Sequence, residues 1–494
     1  MRVEMNERHG YPAESAVFCA VMQWLMLVVT FVVMALLQRV ARGAGGPLEA
    51  HATLALGCLT LAAYLAGTIA QRYRLPRIVG YLVAGFALGP AWLRLVRGPE
   101  LEALAAISSG ALTLIAFAVG NELSLDPLRS ERRTTVLRIV AGAMAVPFAA
   151  VALVVLSVSP WFPLTAHQPF RDALVVALAL GSMAAVSSPT LTWAVISDVG
   201  AMRGELGGGG GGGRAGLSRT TLDVSVLQAL AAGVLLVVVL AIALPIGSRG
   251  TVTPGAAAHA LLILAGSIVA GTLLALAAAQ YLRVIQDRVV WVLVILSFIV
   301  SQLVRLTGLD AVLIGLAAGC TLRNAAPEHS ERVRAALQRC AMPVYVVFFS
   351  VAGSNLQLDA LGDIWPWALL LVGLRITGLW GGLRWAGGGG AGRHPAVPAD
   401  WVNYGWLGLV SQGGLAITFA AVLRQAFPEW NVSLEALLVA MIGVHELAGP
   451  ICLQWVLRRT GAVTGEAHAR EMPGTAENAV GNTRDSVVAG GNRV

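Results

Sequence analysis

The sequence predicts an all-α polytopic membrane protein with about 14 transmembrane helices, inverted-topology repeats and two crossing broken helices. The prediction rests on composition, on a succession of long apolar stretches and on an internal repeat. Of 494 residues, 57% are hydrophobic and only 12% charged, and mean hydropathy is +0.74. A soluble domain of this size could not bury so much apolar surface, whereas a lipid bilayer solvates it. A helix needs about 20 apolar residues to span the hydrocarbon core, and the chain offers such stretches one after another. Two patterns in the first half then recur seven helices later.

The helices are expected over roughly residues 16–40, 50–71, 76–95, 103–125, 134–158, 170–199, 218–246, 256–282, 289–306, 309–323, 339–357, 363–386, 401–427 and 434–458. The first could be a signal peptide. Its apolar stretch is long, however, and no small-x-small cleavage site follows cleanly, so a retained helix is expected. Residues 461–494 are polar and rich in Gly and Asn, which predicts a disordered cytoplasmic tail. The chain therefore divides into an extra helix and loop (1–49), a transmembrane unit (50–460) and the tail (461–494).

The net charge of +7 comes from arginine alone, since the sequence has no lysine. Eighteen arginines fall in one set of alternate connections and eight in the other. Positive charge stays inside, so both termini are expected at the cytoplasmic face of the cell inner membrane. Membrane topology thus accounts for the basic balance, and no nucleic-acid partner is expected. Five cysteines lie in apolar segments without paired metal or redox spacing. Neither a disulfide framework, a metal site nor a cofactor is expected. The run Gly207–Gly213 reads as a flexible linker; it lacks the Gly-Lys-Ser/Thr and strand–helix context of a phosphate loop.

Helix three contains Gly80, Gly85 and Gly89, and helix ten has Asp310, Gly315 and Gly319 at the same spacing. Helix four ends Gly120-Asn-Glu-Leu-Ser-Leu-Asp126-Pro-Leu128, and helix eleven ends Gly353-Ser-Asn-Leu-Gln-Leu-Asp359-Ala-Leu361. An odd separation of seven helices turns one half upside down relative to the other. Inverted repeats are the architecture of secondary transporters, whose sites lie where corresponding helices of the two halves are broken. Helix six carries Ser187-Ser188-Pro189-Thr190 at mid-span; Pro189 removes a backbone donor and disfavours helix just before it. Seven helices on, helix thirteen carries Ser411-Gln412-Gly413-Gly414, and paired glycines cost helix stability. Pro and Gly kinks are common in membrane helices; their matched placement argues for two breaks that cross near the membrane centre.

Asp223 lies about one and a half turns into helix seven, directly after the first break. A charged side chain within the bilayer costs on the order of 3 kcal/mol, so its default interpretation is functional. A carboxylate there can hold a proton or a dehydrated monovalent cation. Competition between the two at an alternating-access site is an antiport mechanism. The plainer reading is a capping or snorkelling Asp at the cytoplasmic end of the helix. Arg375, in the middle of helix twelve, needs a carboxylate or carbonyl partner. His445-Glu446 lies in helix fourteen, the repeat mate of helix seven. Glu446 could pair with Arg375, serve a proton path or be structural. Glu122, Asp198 and Asp310 sit near helix ends and read as interfacial, capping or solvated groups.

At these positions the sequence resembles the cation:proton antiporter superfamily, nearest the branch with glutathione-gated potassium efflux proteins and related sodium/proton exchangers. The resemblance covers about residues 50–460. It is carried by Leu75-Pro76-Arg77-Ile78-Val79-Gly80-Tyr81-Leu82-Val83-Ala84-Gly85 with Gly89-Pro90, and by Phe117-Ala118-Val119-Gly120-Asn121-Glu122-Leu123. Ser187-Ser188-Pro189 stands at the family's Thr-Ser-Pro, and Leu222-Asp223 at its ion-site pair. The second half adds Phe348-Phe349-Ser350-Val351, Ser411-Gln412-Gly413-Gly414, and Glu446-Leu447 with Gly449-Pro450. The resemblance implies a homodimer in which helices six, seven, twelve and thirteen belong to a mobile core. Family members carry Asp-Asp, Asn-Asp or Gln-Asp at the ion site. Here the pair reads Leu222-Asp223, or Asp223-Val224 if shifted by one, which would lack the essential second carboxylate. Leu415 stands where the potassium-efflux branch has an acidic residue. Gating through a nucleotide-binding domain after helix fourteen is not expected.

The expected function is therefore exchange of a monovalent cation, Na+ or K+, for protons, with Asp223, Ser187, Ser188 and Thr190 as binding residues and Arg375 and Glu446 as supporting charge. Two alternatives stay open. One is a transport-inactive sensor or channel-like member of the same fold. The other is a sodium-coupled organic-anion symporter, which would want more hydrogen-bonding side chains near the breaks.

Overall fold

The computed structural model describes residues 13–43, 48–122, 132–199, 216–248, 252–284, 289–356, 364–388, 399–427 and 430–460. The Gly207–Gly213 run, the tail, and the repeat residues Asp126 and Asp359 lie outside them. Every regular element described is helical. In chain order these are α1 (Ala13–Gly43), α2 (Leu48–Arg72), α3 (Arg77–Leu88), α4 (Gly98–Glu122), α5 (Arg132–Ser157), α6a (Phe170–Ala184), α6b (Pro189–Val199), α7 (Gly216–Ile246), α8 (Ala256–Val284), α9 (Val289–Thr307), α10 (Ala311–Ala325), α11 (Pro327–Ser354) and α12 (Trp365–Gly388). They are followed by α13a (Ala399–Tyr404, continued by a 3-10 turn over Gly405–Leu409), α13b (Gly414–Ala426) and α14 (Asn431–Arg459).

Ten of the described helices are long and apolar enough to cross a membrane, and an eleventh is counted if the two halves of helix thirteen, bent by 61° at the break, form one span. Three shorter apolar helices, Met22–Leu37, Arg77–Leu88 and Ala311–Ala325, occupy the remaining expected positions. The molecule is a multi-pass membrane protein. Helix three stops at Leu88, short of residue 95, because Gly89-Pro90 interrupts it; the chain then turns until Val96 donates to the Leu88 carbonyl at 2.9 Å. Helix eleven starts at Pro327, well before residue 339. Its first turns are rich in Arg, Glu and Ala, good helix formers that a membrane-hydropathy pattern passes over, and Pro sits where a first helical turn accepts it. Arg332, Arg334 and Arg339 thus lie on a helix rather than in a loop.

The helices form two groups. One is α5, α6, α7, α12, α13 and α14; the other is α2, α3, α4 and α8 to α11. Glycine seams build the second group in duplicate. A Cβ on Gly85 would overlap the Ser350 carbonyl, and one on Gly353 the Leu82 carbonyl, so α3 and α11 meet backbone to backbone. On the other seam, Gly319 meets the Phe117 carbonyl and Gly120 meets the Leu316 carbonyl, joining α10 to α4. These are repeat-related pairs. The contacts match Gly85 with Gly319, one turn beyond the match to Gly315 that sequence spacing suggests. Glycines four apart share a helix face, so spacing alone cannot separate the two registers. The mates α5 and α12 touch reciprocally at Gly142 and Gly382.

Candidate functional site at the crossing of two broken helices

Helix six is broken over Ala185–Ser188 and helix thirteen over Val410–Gly413. Ser188 is the reason α6b restarts. Its hydroxyl accepts from the Leu191 N–H at 3.2 Å, as an N-cap does, and Pro189 supplies a first helical residue with no N–H to satisfy. Thr190 Oγ1 lies 3.1 Å from Ser188 Oγ. The Ser188 N–H donates to the Ser411 carbonyl at 2.9 Å, so the two breaks cross in direct contact. Gly413 permits this approach, since a Cβ there would overlap Ser188 Oγ.

A helix that stops inside an apolar core leaves carbonyls without partners, and each must be satisfied. Here four successive ones are served by three distant side chains. Gln412 Nε2 donates to Met183 O at 2.8 Å. Arg375 Nε donates to Ala184 O at 3.1 Å, and its Nη2 to Val186 O at 2.6 Å. Gln228 Nε2 donates to Ala185 O at 2.8 Å, while Gln228 Oε1 accepts from Ser187 Oγ at 3.0 Å. Arg375 also serves the other break, through Val410 O at 2.6 Å and Leu409 O at 3.1 Å. Its guanidinium, 0% exposed, therefore bridges the carbonyl ends of both half-helices, where the helix dipoles are negative.

The structure thus brings Ser187, Ser188, Pro189, Thr190, Arg375, Ser411, Gln412 and Gly413 together. Gly414 opens α13b and packs against Leu112 of α4. Glu446 is buried on α14, but among the described residues no ion pair joins it to Arg375, which is committed to carbonyls. Asp223 is half-buried on α7, five residues before Gln228 and so about 7.5 Å along the helix from it. Its turn adjoins the last turn of α13a, where Thr221 Cγ2 would lie 3.0 Å from a Cβ on Gly408.

Gln228 escaped the sequence reading. It was detectable as the lone amide in the apolar run that follows Asp223. The family pair expected on this helix begins with Gln, Asn or Asp; the α7 residue that reaches the break is Gln228, and Ala229 follows it. The acidic residues near helix ends also have definite places. Asp198 Oδ2 accepts from the Arg77 N–H at 2.9 Å, and Glu122 pairs with Arg334 at 2.8 Å. Both carboxylates line a cavity of about 300 Å³ walled by α3, α4, α6b, α9 and α11 on the arginine-rich side. Asp310, buried, caps α10 through the Leu313 N–H at 2.7 Å and accepts from the Thr418 hydroxyl of α13b.

Comparison with known proteins agrees with this architecture. A family model described as sodium/hydrogen exchanger, transmembrane, matches residues 58–459. Over 85 residues the chain is 38% identical to a Methylorubrum extorquens protein described as an uncharacterized protein in the phaC 3′ region, covering 17% of this chain and 30% of that protein. Over 93 residues it is 30% identical to the Na(+)/H(+)-K(+) antiporter GerN of Bacillus cereus, covering 19% of this chain and 23% of that protein. These matches span less than a third of either relative. The sodium proton antiporter MjNhaP1 from Methanocaldococcus jannaschii superposes with a TM-score of 0.56 at 16% identity, over 84% of this chain and 98% of that one. At that identity the likeness speaks for fold alone. With the family model spanning most of its length, this chain belongs to the sodium/hydrogen exchanger family.

Proposed function

We propose that the protein is a secondary active antiporter that exchanges a monovalent cation, Na+ or K+, for protons by alternating access at the helix crossing. The observation that carries this reading is the polar centre itself. Two breaks cross through Ser188 and Ser411, and their carbonyl ends are held by a buried arginine and two amides. Inverted-repeat transporters bind ions at such broken helices, and similarity to an antiporter named for Na+, H+ and K+ supports the substrate class. Asp223 is the carboxylate this reading assigns to the ion path. Its half-buried position on α7, about 7.5 Å along the helix from Gln228, supports a place on the path to the crossing. The arginine asymmetry supports cytoplasmic termini, and the family resemblance supports a homodimer.

The test is a pH jump on proteoliposomes containing the purified protein, with sodium, potassium and lithium in turn. Cation-dependent proton flux is expected, and Asp223→Asn should abolish it in a protein that still elutes as a folded species. Retained flux in that variant removes Asp223 from the mechanism. A second reading, a transport-inactive sensor of the same fold, draws on Ala229, which leaves α7 without a carboxylate at the break. Absence of flux from the native protein with all three cations decides for it.

A further inference from the structure

α14 crosses the second break at Gly449. A Cβ there would overlap Ser411 Oγ and lie 2.6 Å from Ser411 Cα, so the two backbones touch. Glu446 and His445 precede Gly449 by three and four residues and share its face of the helix. They are 2% and 0% exposed. Among the described residues, Glu446 Oε2, His445 Nε2, Ser411 Oγ and Gln412 Oε1 are all buried without a hydrogen-bond partner. Orphaned polar atoms are rare in native cores, and their burial is costly.

Their chemistry has one sense. His445 Nδ1 lies 2.7 Å from the Met441 carbonyl, which can only accept, so Nδ1 carries the proton and the neutral ring leaves Nε2 as an acceptor. Gln412 spends its amide N–H on Met183 O, which leaves its oxygen as an acceptor. Glu446 adds carboxylate oxygens, and Ser411 a hydroxyl that accepts as readily as it donates. These are acceptors short of donors, carried by two segments in contact, and a proton, a cation or a water can satisfy them. The charged residue nearby on α12, Arg375, spends four of its five N–H donors on carbonyls and sets its positive charge near His445. Asp198 of α6b and Arg77 of α3 pair with each other at the far end of the half-helix. Arg424 of α13b pairs with Glu435 at 3.2 Å.

We propose that Glu446, with Ser411, Gln412 and His445, forms a binding site that takes one monovalent cation or one proton at a time. The site deepens the antiport reading and rests on it. Two measurements test it: thermal stability of the detergent-purified protein in lithium, sodium or potassium chloride against choline chloride, and exchange in proteoliposomes across pH. The native protein should be stabilised by a small cation and should exchange it. Glu446→Gln should lose that stabilisation and fall to the flux of empty liposomes. Glu446→Asp should keep exchange but change the pH at which it is half-maximal. A folded Glu446→Gln protein with native exchange and native cation stabilisation overturns the site. If Glu446→Gln does not fold, Glu446→Asp decides, and an unchanged pH profile overturns the proposal. A native protein that neither exchanges nor responds to cations overturns the antiport reading together with the site. Native exchange that survives Glu446→Gln removes the site alone.

Discussion

The N–H of Ser188 meets the carbonyl of Ser411 at 2.9 Å, tying together two chain breaks that lie more than two hundred residues apart. The hydrogen bonds of Arg375, Gln228 and Gln412 to the freed carbonyls are arranged around that contact. Because each freed carbonyl is held by a particular side chain, substitutions there have separable consequences.

Arg375→Met should be the most damaging change in the core. It leaves four buried carbonyls without their donor, and each buried acceptor left unsatisfied costs about 1–3 kcal/mol. Arg375→Lys keeps the charge but cannot span two half-helices with one compact ammonium. Thermal denaturation in detergent should rank the native protein above Arg375→Lys and Arg375→Met last. Equal melting of Lys and native would show that charge alone suffices.

Gln228→Leu should cost about 1–3 kcal/mol, because Ala185 O and Ser187 Oγ lose their partner inside an apolar core. The substitution removes no charge. A melting temperature equal to the native value would mean that these bonds are not formed in solution.

Gly85→Val and Gly319→Val should behave alike, although they lie in different halves of the chain. Each drives a side chain into the backbone of the facing helix, an overpacking cost of about 1–3 kcal/mol or more. The comparison is best made by yield of folded protein and by melting temperature. Tolerance at one site with collapse at the other would break the equivalence of the two seams.

Exchange should be electroneutral, one cation for one proton. Leu222 stands where the family's ion-site pair carries a second polar or acidic residue, so that pair offers one negative charge to each load. A voltage-sensitive dye in tight proteoliposomes should report no potential during exchange. A potential that grows with the cation gradient contradicts this.

Much of this architecture was readable in the residues. Hydropathy located the helices because a spanning helix must be apolar along its length, and Pro189 and Gly413-Gly414 marked the breaks because each weakens helix locally. What hydropathy could not convey was polar geometry. Gln228 looked like one amide in an apolar run, and only the fold shows that it faces Ala185. The repeat register slipped by a turn because glycines four apart look identical along the sequence. Arg375 was expected to find a carboxylate or carbonyls, and the choice depended on distances across three helices. The polar start of α11 was hidden because amphipathic helices outside the apolar stretch do not register as spans.

The starts of α3 and α10 carry one further consequence. Pro76 and Asp310 are the N-caps of these helices, and each stands nine residues before its seam glycine, Gly85 or Gly319. They are equivalent fixed marks on opposite faces of the membrane. Beside the first mark, Arg77 meets Asp198, nine residues past the start of α6b; the second meets Thr418, four residues past the start of α13b. Each half-helix that leaves the crossing is thus tied to the N-terminal end of a helix in the other group, and cutting either tie, by Asp198→Ala or Thr418→Val, should lower the melting temperature.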